Sequence, residues 1–436
     1  MTEREHTTGE IAAWVGLDWA DQKHRISEYR VGSGEVVGYD LEHTPEALDE
    51  WIKNLRTRYG RSKIAVVLEQ SRGAVLYGLM KYDGLILYPV NPLSVSNYRK
   101  TFQTSGAKSD PVDALVMAEM VRKHPDRFHP LHNEDTQTRT LQLLVESRRG
   151  LVNQMTRLTN RLTAELKQYF PQALKWAGEL SSRQACEFLT QWPTLETLQM
   201  ARGARLRKFY LAYGRPSKEA VEQRVAEIKK AVPLTTDEAV LLAGSMKTKA
   251  LVDQIRALID AIENYDDQIK QVFRRHPDRF IFDSFPGAGQ VLAPRLLAAF
   301  GADRDRLQSA GQIQMLAGIA PVTESSGKSR RVHWRLACSK FLRQSFHEFA
   351  ASSILWSDWA KAYHQTMRER GKGYNAAVRA LAFKWLRVMF RCWKSKTAYD
   401  DGVYMESLKQ RSPALFERAS VVREERQNKA QARQAA

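Results

Sequence analysis

The stretch Ala13-Trp14-Val15-Gly16-Leu17-Asp18 decides the fold of the first part of this chain, because a short, mostly apolar run leads directly into an acidic residue. The same pattern returns at Ile64-Ala65-Val66-Val67-Leu68-Glu69. Continuous apolar runs of this length, bounded by polar or turn residues, are typical of strands that are buried on both faces. Both stretches therefore predict buried strands, each followed by a carboxylate.

Further strands and helices surround these two strands. The segments Lys23–Tyr29 and Glu35–Leu41 flank a Gly32-Ser33-Gly34 turn and predict a hairpin after the first strand. Thr44-Pro45 predicts the start of a helix, and Leu85–Val90 predicts a third apolar strand. This order of elements resembles the ribonuclease H arrangement, a mixed sheet with helices on its faces. The predicted fold class is therefore α/β for residues 1–130.

The rest of the chain is predicted to be mainly helical. Apolar residues recur at three-to-four-residue steps over 141–158 and 251–269, which predicts two long helices that pair as an antiparallel or intermolecular coiled coil. Proline breaks between them predict a helical insertion at about 171–245. We therefore expect a coiled-coil linker (131–280), a mainly helical C-terminal domain (281–400) and a charged tail (401–436), which from about Glu417 frays or forms a solvated helix.

Composition limits the class of protein. The 436 residues include 67 Lys and Arg against 49 Asp and Glu, a formal net charge of +18 that indicates a polyanionic partner. With 43% hydrophobic residues the chain can bury real cores, which excludes wholesale disorder. We expect a cytoplasmic protein without a membrane segment, because the sequence has neither a long apolar run nor a signal peptide. The cysteines (Cys186, Cys338 and Cys392) lack the spacing of metal ligands.

The positive charge is unevenly distributed. Residues 1–130 hold 17 basic and 18 acidic residues, a net of 17 − 18 = −1, whereas residues 321–400 hold 16 and 5, a net of 16 − 5 = +11. Aromatic residues are interleaved with these cations: Trp334, Trp356, Trp359, Tyr363, Tyr374, Trp385 and Trp393. Cations among aromatic rings are typical of phosphate pairing combined with base stacking. The alternative for each ring is a place in the core of an amphipathic helix.

Four acidic residues are candidates for metal chemistry: Asp18, Glu69, Asp110 and Asp113. Asp18 and Glu69 follow buried strands, and the ends of neighbouring strands gather side chains into one crevice. Asp110 and Asp113 are three residues apart and share one face of a helix. Carboxylates that converge in this way bind Mg²⁺ and serve phosphodiester chemistry. For the last two an alternative stays open, because Ser109-Asp110-Pro111-Val112-Asp113 is also typical of a capped helix start.

Two later segments predict contacts with phosphate. Pro286-Gly287-Ala288-Gly289 resembles a helix-hairpin-helix turn, whose backbone N–H groups approach a phosphate, although a simple helix connector has the same composition. Residues 321–331 (PVTESSGKSRR) combine small hydroxyl side chains with glycine and cations, which predicts a mobile loop. Such a loop either holds a phosphodiester that a serine attacks or is merely solvated.

Five motifs together resemble one family. They are Gly16-Leu17-Asp18, Leu68-Glu69, Lys108-Ser109-Asp110-Pro111-Val112-Asp113-Ala114, Phe285-Pro286-Gly287-Ala288-Gly289, and Ala317-Gly318-Ile319-Ala320-Pro321 followed by Ser325-Ser326-Gly327. Their order and spacing over residues 12–345 are similar to those of the DEDD insertion-sequence transposases. That family includes the bridge-RNA-guided recombinases and the Piv-type DNA invertases.

The resemblance implies a RuvC-like first domain in which Asp18, Glu69, Asp110 and Asp113 hold Mg²⁺. It also implies a C-terminal transposase domain in which Ser326, or the adjacent Ser325, attacks a DNA phosphodiester and forms a covalent intermediate. The implied partners are donor and target DNA, a structured noncoding guide RNA and further copies of the chain, as a dimer or tetramer in the bacterial nucleoid. Nucleic-acid contacts are expected from Gly287, Gly289, Lys328, Arg330, Arg331, Arg335, Lys340 and Arg343.

The chain departs from the family pattern in two places. After the serine it keeps Lys340 and Leu342-Arg343 but lacks the glycine that many relatives place between them, and its insertion at 171–245 is longer than in compact members. Two other functions account for part of the pattern. One is a RuvC-like structure-selective nuclease that uses only the carboxylates and water. The other is a nonenzymatic nucleic-acid-binding scaffold in which Asp110 and Asp113 only cap a helix.

Overall fold

The computed structural model describes residues 11–69, 73–101, 110–131, 134–213, 216–327 and 329–435, and of Asp110, Pro111 and residues 433–435 the backbone only. The chain divides into two compact units, residues 1–133 and residues 134–436. About two thirds of the chain is helical. No helix in the described ranges combines the length and the apolar character that a membrane span requires.

The first unit contains a five-stranded mixed sheet. Its strands are β1 (Ile11–Asp18), β2 (Lys23–Arg30), β3 (Val36–Glu42), β4 (Lys63–Leu68) and β5 (Leu85–Pro89). Their order across the sheet is β3-β2-β1-β4-β5. The first three strands pair antiparallel, whereas β4 pairs parallel with both β1 and β5. The prediction of a mixed α/β first region is confirmed.

Helices pack on the sheet of the first unit. They are α1 (Pro45–Tyr59), α2 (Ala74–Leu79), α3 (Pro92–Lys100) and α4 (Asp110–Lys123). The predicted helix start is confirmed at Thr44, an N-cap whose Oγ1 accepts a hydrogen bond from the Ala47 N–H at 3.1 Å. Along β1, Ala13, Val15 and Leu17 join one apolar core, while Trp14 joins another with the α4 residues. Because successive side chains of a strand point to opposite faces, this division shows that both faces of β1 are covered.

The second unit begins with two long helices, α5 (Thr136–Tyr169) and α11 (Glu238–Arg275). Gln137 near the start of α5 donates to the backbone carbonyl of Val272 near the end of α11, and Tyr169 at the end of α5 contacts Thr248 near the start of α11. Arg148 of α5 also makes a bidentate ion pair with Asp266 of α11, with Nε 2.5 Å from Oδ1 and Nη2 2.9 Å from Oδ2. The helices are therefore antiparallel, one of the two predicted arrangements.

Five short helices form the segment between these long helices. They are α6 (Ala173–Trp176), α7 (Arg183–Gln191), α8 (Leu195–Met200), α9 (Gly203–Ala212) and α10 (Lys218–Lys230). Buried aromatic residues, among them Trp176, Phe188 and Trp192, pack this segment into a common core with Leu166 and Ile255 of the long helices. The segment predicted as an insertion is therefore helical, and it shares its apolar core with the two long helices.

The C-terminal part of the second unit is mainly helical and contains a hairpin. Its helices are α12 (Arg279–Asp283), α13 (Gly289–Phe300), α14 (Ala310–Leu316), α15 (Lys340–Trp356), α16 (Asp358–Glu369), α17 (Tyr374–Ser395), α18 (Asp401–Arg411) and α19 (Pro413–Ala435). The hairpin strands are β6 (Val322–Ser326) and β7 (Ser329–His333). One core cluster extends through these helices from Phe282 to Val422.

The prediction of a frayed or solvated helix from about Glu417 is wrong for the first residues of that segment, whereas residues 424–432 form a largely exposed helix. Leu415, Ala419 and Val422 of α19 are buried in the same core as α16 and α17. Arg423 also reaches Asp358, the first residue of α16, at 3.2 Å. The apolar spacing of Leu415, Ala419 and Val422 is short, and the charged residues that follow it conceal it in the sequence.

Candidate active site

The acidic candidates of the first unit follow neighbouring strands. Leu17 of β1 is paired with Leu68 of β4, and the strands are parallel. Asp18 and Glu69, the next residues in each strand direction, therefore lie at the same edge of the sheet. Both side chains are partly buried. The structure thus brings together the two carboxylates that follow the apolar runs.

Close packing brings α4 against β1 at the same edge. A Cβ atom on Gly16 would lie only 1.7 Å from the backbone carbonyl oxygen of Ala114 in α4, so only glycine permits this approach. Asp113 precedes Ala114 and is 5% exposed. The contact holds the first turns of α4, including Asp113, beside the strand that ends at Asp18. The side chain of Asp110 lies outside the described part of the structure, although α4 begins at that residue.

Arg99 is the partner of Asp113. Its guanidinium Nη1 forms an ion pair with Asp113 Oδ1, and only 17% of the Arg99 side chain and 8% of the Asp113 side chain are exposed. A buried carboxylate needs such a partner, because an isolated charge is costly to remove from water. Arg99 was not predicted, because no sequence signal separates it from the other arginines. The packing role of Gly16 was not predicted either, although a glycine inside an apolar strand was the available signal.

The donor set at this edge suits a hard cation. Carboxylate oxygens are the ligands that Mg²⁺ prefers. Within the described ranges, however, no three Asp, Glu, His or Cys side chains lie close enough together to hold a metal ion. The proposed ligand set therefore stays a prediction that includes Asp110, whose side chain is not described.

In the second unit, Ser326 lies at the tip of the β6–β7 hairpin. It is paired with Ser329 across a tight turn in which Gly327 has φ of +55°, a conformation that favours glycine. Ser325 and Ser326 are both exposed. The segment predicted to be a mobile loop is a two-stranded hairpin, because Gly327 allows the chain to reverse and both flanking segments to pair. Lys328 lies outside the described residues.

The hairpin separates the two candidate serines. Residues directly opposite each other in an antiparallel pair share a face, and faces alternate along each strand. Ser325 pairs with Arg330, whereas Glu324 pairs with Arg331. Ser325 therefore shares a face with Arg330, and Ser326 shares the other face with Arg331. Both arginines are exposed.

The remaining predicted cations differ in their surroundings. Lys340 is exposed at the first residue of α15. Arg335 is half-buried, and its carbonyl oxygen accepts a hydrogen bond from Arg343 Nη2 at 2.5 Å. The same nitrogen lies 2.6 Å from Cys338 Sγ. Arg343 thus braces the segment between the hairpin and α15, in addition to its predicted role.

The two glycines of the helix-hairpin-helix-like turn have different environments. Both have positive φ angles, +82° for Gly287 and +54° for Gly289. A Cβ on Gly287 would lie 2.9 Å from Trp356 and 3.0 Å from Ser352, whose hydroxyl donates to the Gly287 carbonyl at 2.8 Å. Nothing lies within 4 Å of a Cβ placed on Gly289. Gly287 therefore permits contact with α15, whereas Gly289 faces open space at the start of α13.

The structure also divides the aromatic residues of the basic segment. Trp359, Trp385 and Trp393 are fully buried and belong to the core, which agrees with the alternative that these rings are core residues of amphipathic helices. The others remain accessible: Trp334, Trp356 and Tyr374 are 45%, 66% and 52% exposed. Base stacking therefore remains available only to the second group and to the half-buried Tyr363.

Two transposase family models match this chain. A transposase model of the DEDD type of IS110 matches residues 15–171, and the model of the transposase IS116/IS110/IS902 family matches residues 280–365. The first match contains the acidic strand ends, and the second contains the glycine turn and the hairpin. Together the two matches cover more than half of the chain.

Individual relatives match over most of their length. A mini-circle protein of Streptomyces coelicolor, named as a transposase for IS117, is 27% identical over 90% of this chain and 96% of its own. A 44.8 kDa protein of insertion element IS116 from Streptomyces clavuligerus is 26% identical over 88% of this chain and 96% of its own. The transposase for insertion sequence element IS1111A of Coxiella burnetii is 25% identical over 70% of this chain and 75% of its own. Because both family models match, one over the acidic motifs and the other over the glycine turn and the hairpin, this chain belongs to the IS116/IS110/IS902 family of insertion-sequence transposases.

Proposed function

We propose that this chain is the DNA transposase of an insertion sequence and that it cuts and rejoins DNA through a covalent bond to Ser326. The observation that carries the proposal is the placement of Ser326 at the exposed tip of a hairpin, on the same face as Arg331. A nucleophile on a projecting hairpin can reach a DNA backbone. A cation on the same face can stabilise the charge that develops on the phosphate.

In the proposed reaction the Ser326 hydroxyl oxygen attacks a DNA phosphorus atom. A serine–phosphorus bond forms, one phosphorus–oxygen bond of the DNA breaks, and the hydroxyl proton passes to the departing DNA oxygen directly or through water. Attack of another DNA hydroxyl on the phosphoserine then rejoins the strand and releases the serine. Because the number of phosphodiester bonds is conserved, the exchange needs no high-energy cofactor.

The carboxylates Asp18, Glu69, Asp110 and Asp113 are the proposed holders of Mg²⁺. When bound, the metal would polarise the phosphate and stabilise the leaving oxygen. Arg99 acts as a positioning residue, since its ion pair sets the orientation of Asp113. Gly16 positions the same helix by permitting its contact with β1.

The guide RNA and the oligomer belong to the same proposal. A net charge of +11 over residues 321–400 supports a polyanionic partner, and the exposed cations near the hairpin suit backbone contacts that do not read sequence. In the proposal a noncoding RNA selects the DNA by base pairing. The paired helices α5 and α11 supply a long surface on which copies of the chain can associate. Expression of the protein together with the noncoding DNA that flanks its reading frame tests the RNA partner. An RNA encoded by that DNA should copurify with the protein as one structured species.

A covalent-capture assay tests the serine. Ser326→Ala is expected to abolish a DNase-sensitive protein–DNA adduct, whereas Ser325→Ala and Ser329→Ala should retain it. Ser325 lies on the other face of the hairpin, and Ser329 belongs to the opposite strand. An adduct that persists when both Ser325 and Ser326 are replaced would refute the proposal. Free DNA ends without any adduct would instead favour a nuclease that uses the carboxylates and water.

A further inference from the structure

A cavity of about 580 Å³ lies at the base of the β6–β7 hairpin. The end of β7 lines one side with His333 and Trp334, and α16 and α17 line another with Tyr363, Arg379 and Phe383. We infer that this cavity binds one unpaired nucleotide of the strand that the hairpin engages, with the base stacked on aromatic and guanidinium planes. The inference rests on the proposed function and adds a nucleotide-binding site to it.

Trp334 supplies a flat surface for stacking. Its side chain is large and apolar, yet 45% of the residue is exposed. The guanidinium carbon of Arg379 lies 3.7 Å from the centre of the indole ring, and that of Arg343 lies 5.1 Å from it. These cation–π contacts hold the ring in place. Indole rings and guanidinium planes both stack on bases regardless of sequence.

The other walls of the cavity suit the remainder of a nucleotide. Tyr363 and Phe383 add aromatic surface, and the Lys384 ammonium group lies 4.8 Å from the centre of the Tyr363 ring. Lys372 also lines the cavity, and none of its twelve described lining residues is acidic. Burial lowers the pKa of both Arg379 and Lys384, because desolvation disfavours their charged forms. A phosphate group close to these cations would offset that cost.

The distance from the cavity to Ser326 matches the length of a few stacked nucleotides. The hairpin pairs Val322 with His333 at its base and Ser326 with Ser329 at its tip. Four residue steps of about 3.4 Å separate these two pairs, or roughly 14 Å. Roughly four stacked nucleotides span this distance, at 3.4 Å each. Capture of one base at the hairpin's foot would therefore determine which phosphate meets the serine at its tip.

The test uses the full-length Ser326→Ala protein, so that binding is measured without cleavage. Single-stranded DNA and RNA of one sequence carry 2-aminopurine at successive positions. We expect the emission to change at one position and Trp334→Ala to remove that change while weakening binding roughly tenfold. Trp334→Phe should retain most of the binding, since it keeps a ring. Phe280→Ala, which removes a 48% exposed ring outside the cavity, is the matched control and should bind like the parent.

The outcomes separate this inference from the proposed function. Dependence of binding on Trp334 with either nucleic acid supports the inference, and the strand that shows it identifies the source of the nucleotide. Unchanged binding and unchanged emission in Trp334→Ala overturn it. Unfolding of the variant and its parent at the same denaturant concentration shows that a loss of binding comes from the missing ring. Adduct formation at Ser326 is measured in a separate assay on the protein that retains this serine, so either result can fail alone.

Discussion

The acidic sheet edge of the first unit and the serine hairpin of the second are constructed in opposite ways. Asp113 is 5% exposed, is paired with Arg99, and belongs to a helix that only a glycine allows so close to β1. Ser326 is exposed, and so are Arg330 and Arg331 on the opposite strand of the hairpin. Carboxylates that must hold an ion benefit from rigid support, whereas a nucleophile that must reach DNA benefits from projection. Substitutions at the first site should therefore reduce stability, and those at the second should reduce activity alone.

Removal of Arg99 should have the largest effect on stability. Arg99→Ala leaves Asp113 buried without its partner, so we expect the free energy of unfolding of the first unit to fall by about 3–5 kcal/mol. Urea unfolding followed by hydrogen exchange over residues 11–131 measures this change. The double variant Arg99→Leu, Asp113→Asn should recover much of the loss. A stability equal to the parent in Arg99→Ala would show that the pair does not support the acidic edge.

Substitution of Gly16 should have the next largest effect. Gly16→Ala places a methyl group where the Ala114 carbonyl oxygen lies, so α4 must move away from β1 at a cost of about 2–3 kcal/mol. The matched control is Gly32→Ala in the turn after β2, where a Cβ would meet nothing within 4 Å. Comparison of the two melting curves checks the prediction. Equal losses in both variants would contradict the close approach of α4 to β1.

The two hairpin arginines offer a finer test of the second site. Arg331→Ala should slow adduct formation about thirtyfold, or about 2 kcal/mol, because Arg331 shares a face with Ser326. Arg330→Ala, on the face of Ser325, should slow it about threefold or less. Neither change should affect unfolding, since both side chains are exposed. A larger effect of Arg330 would instead assign the attack to Ser325.

The smallest expected effect is a pH dependence of the stability of the first unit. His24 is 2% exposed, its Nδ1 accepts from the Ala20 N–H at 3.2 Å, and its Nε2 lies 2.9 Å from His43. Burial, reinforced by His43, lowers the pKa of His24 below 6.5. As the pH falls, the unfolded state therefore binds a proton before the folded state does. The stability that is present above pH 6.5 is lost as the pH falls below that value.

Unfolding measured between pH 7.5 and about 5 checks this dependence. His24→Asn should flatten the change, while His129→Gln, at an exposed position, should leave it intact. A profile that His24→Asn does not alter would assign the dependence to other groups.

Local pattern predicted most of the first unit but not the details that support its site. The apolar runs predicted β1 and β4, and the positions of Asp18 and Glu69 follow from the parallel pairing of these strands. Arg99 could not be predicted, because its importance depends on the approach of α3 to α4, which leaves no periodic signal in sequence. In the second unit the helices were predicted from their spacing, whereas the short polar segments on either side of Gly327 gave no indication that they would pair as strands.

By itself the sequence determined the local elements, the uneven distribution of charge and the family, since each depends on residue type, order and spacing along the chain. The tertiary structure alone decided which of the aromatic residues are buried, why Gly16 must lack a side chain, which arginine pairs with Asp113, and that Ser325 and Ser326 lie on opposite faces of a hairpin. The physical reason is that burial and charge pairing depend on which elements come together in space. Residues far apart in the sequence, such as Trp334 and Arg379, acquire a shared function only through that packing.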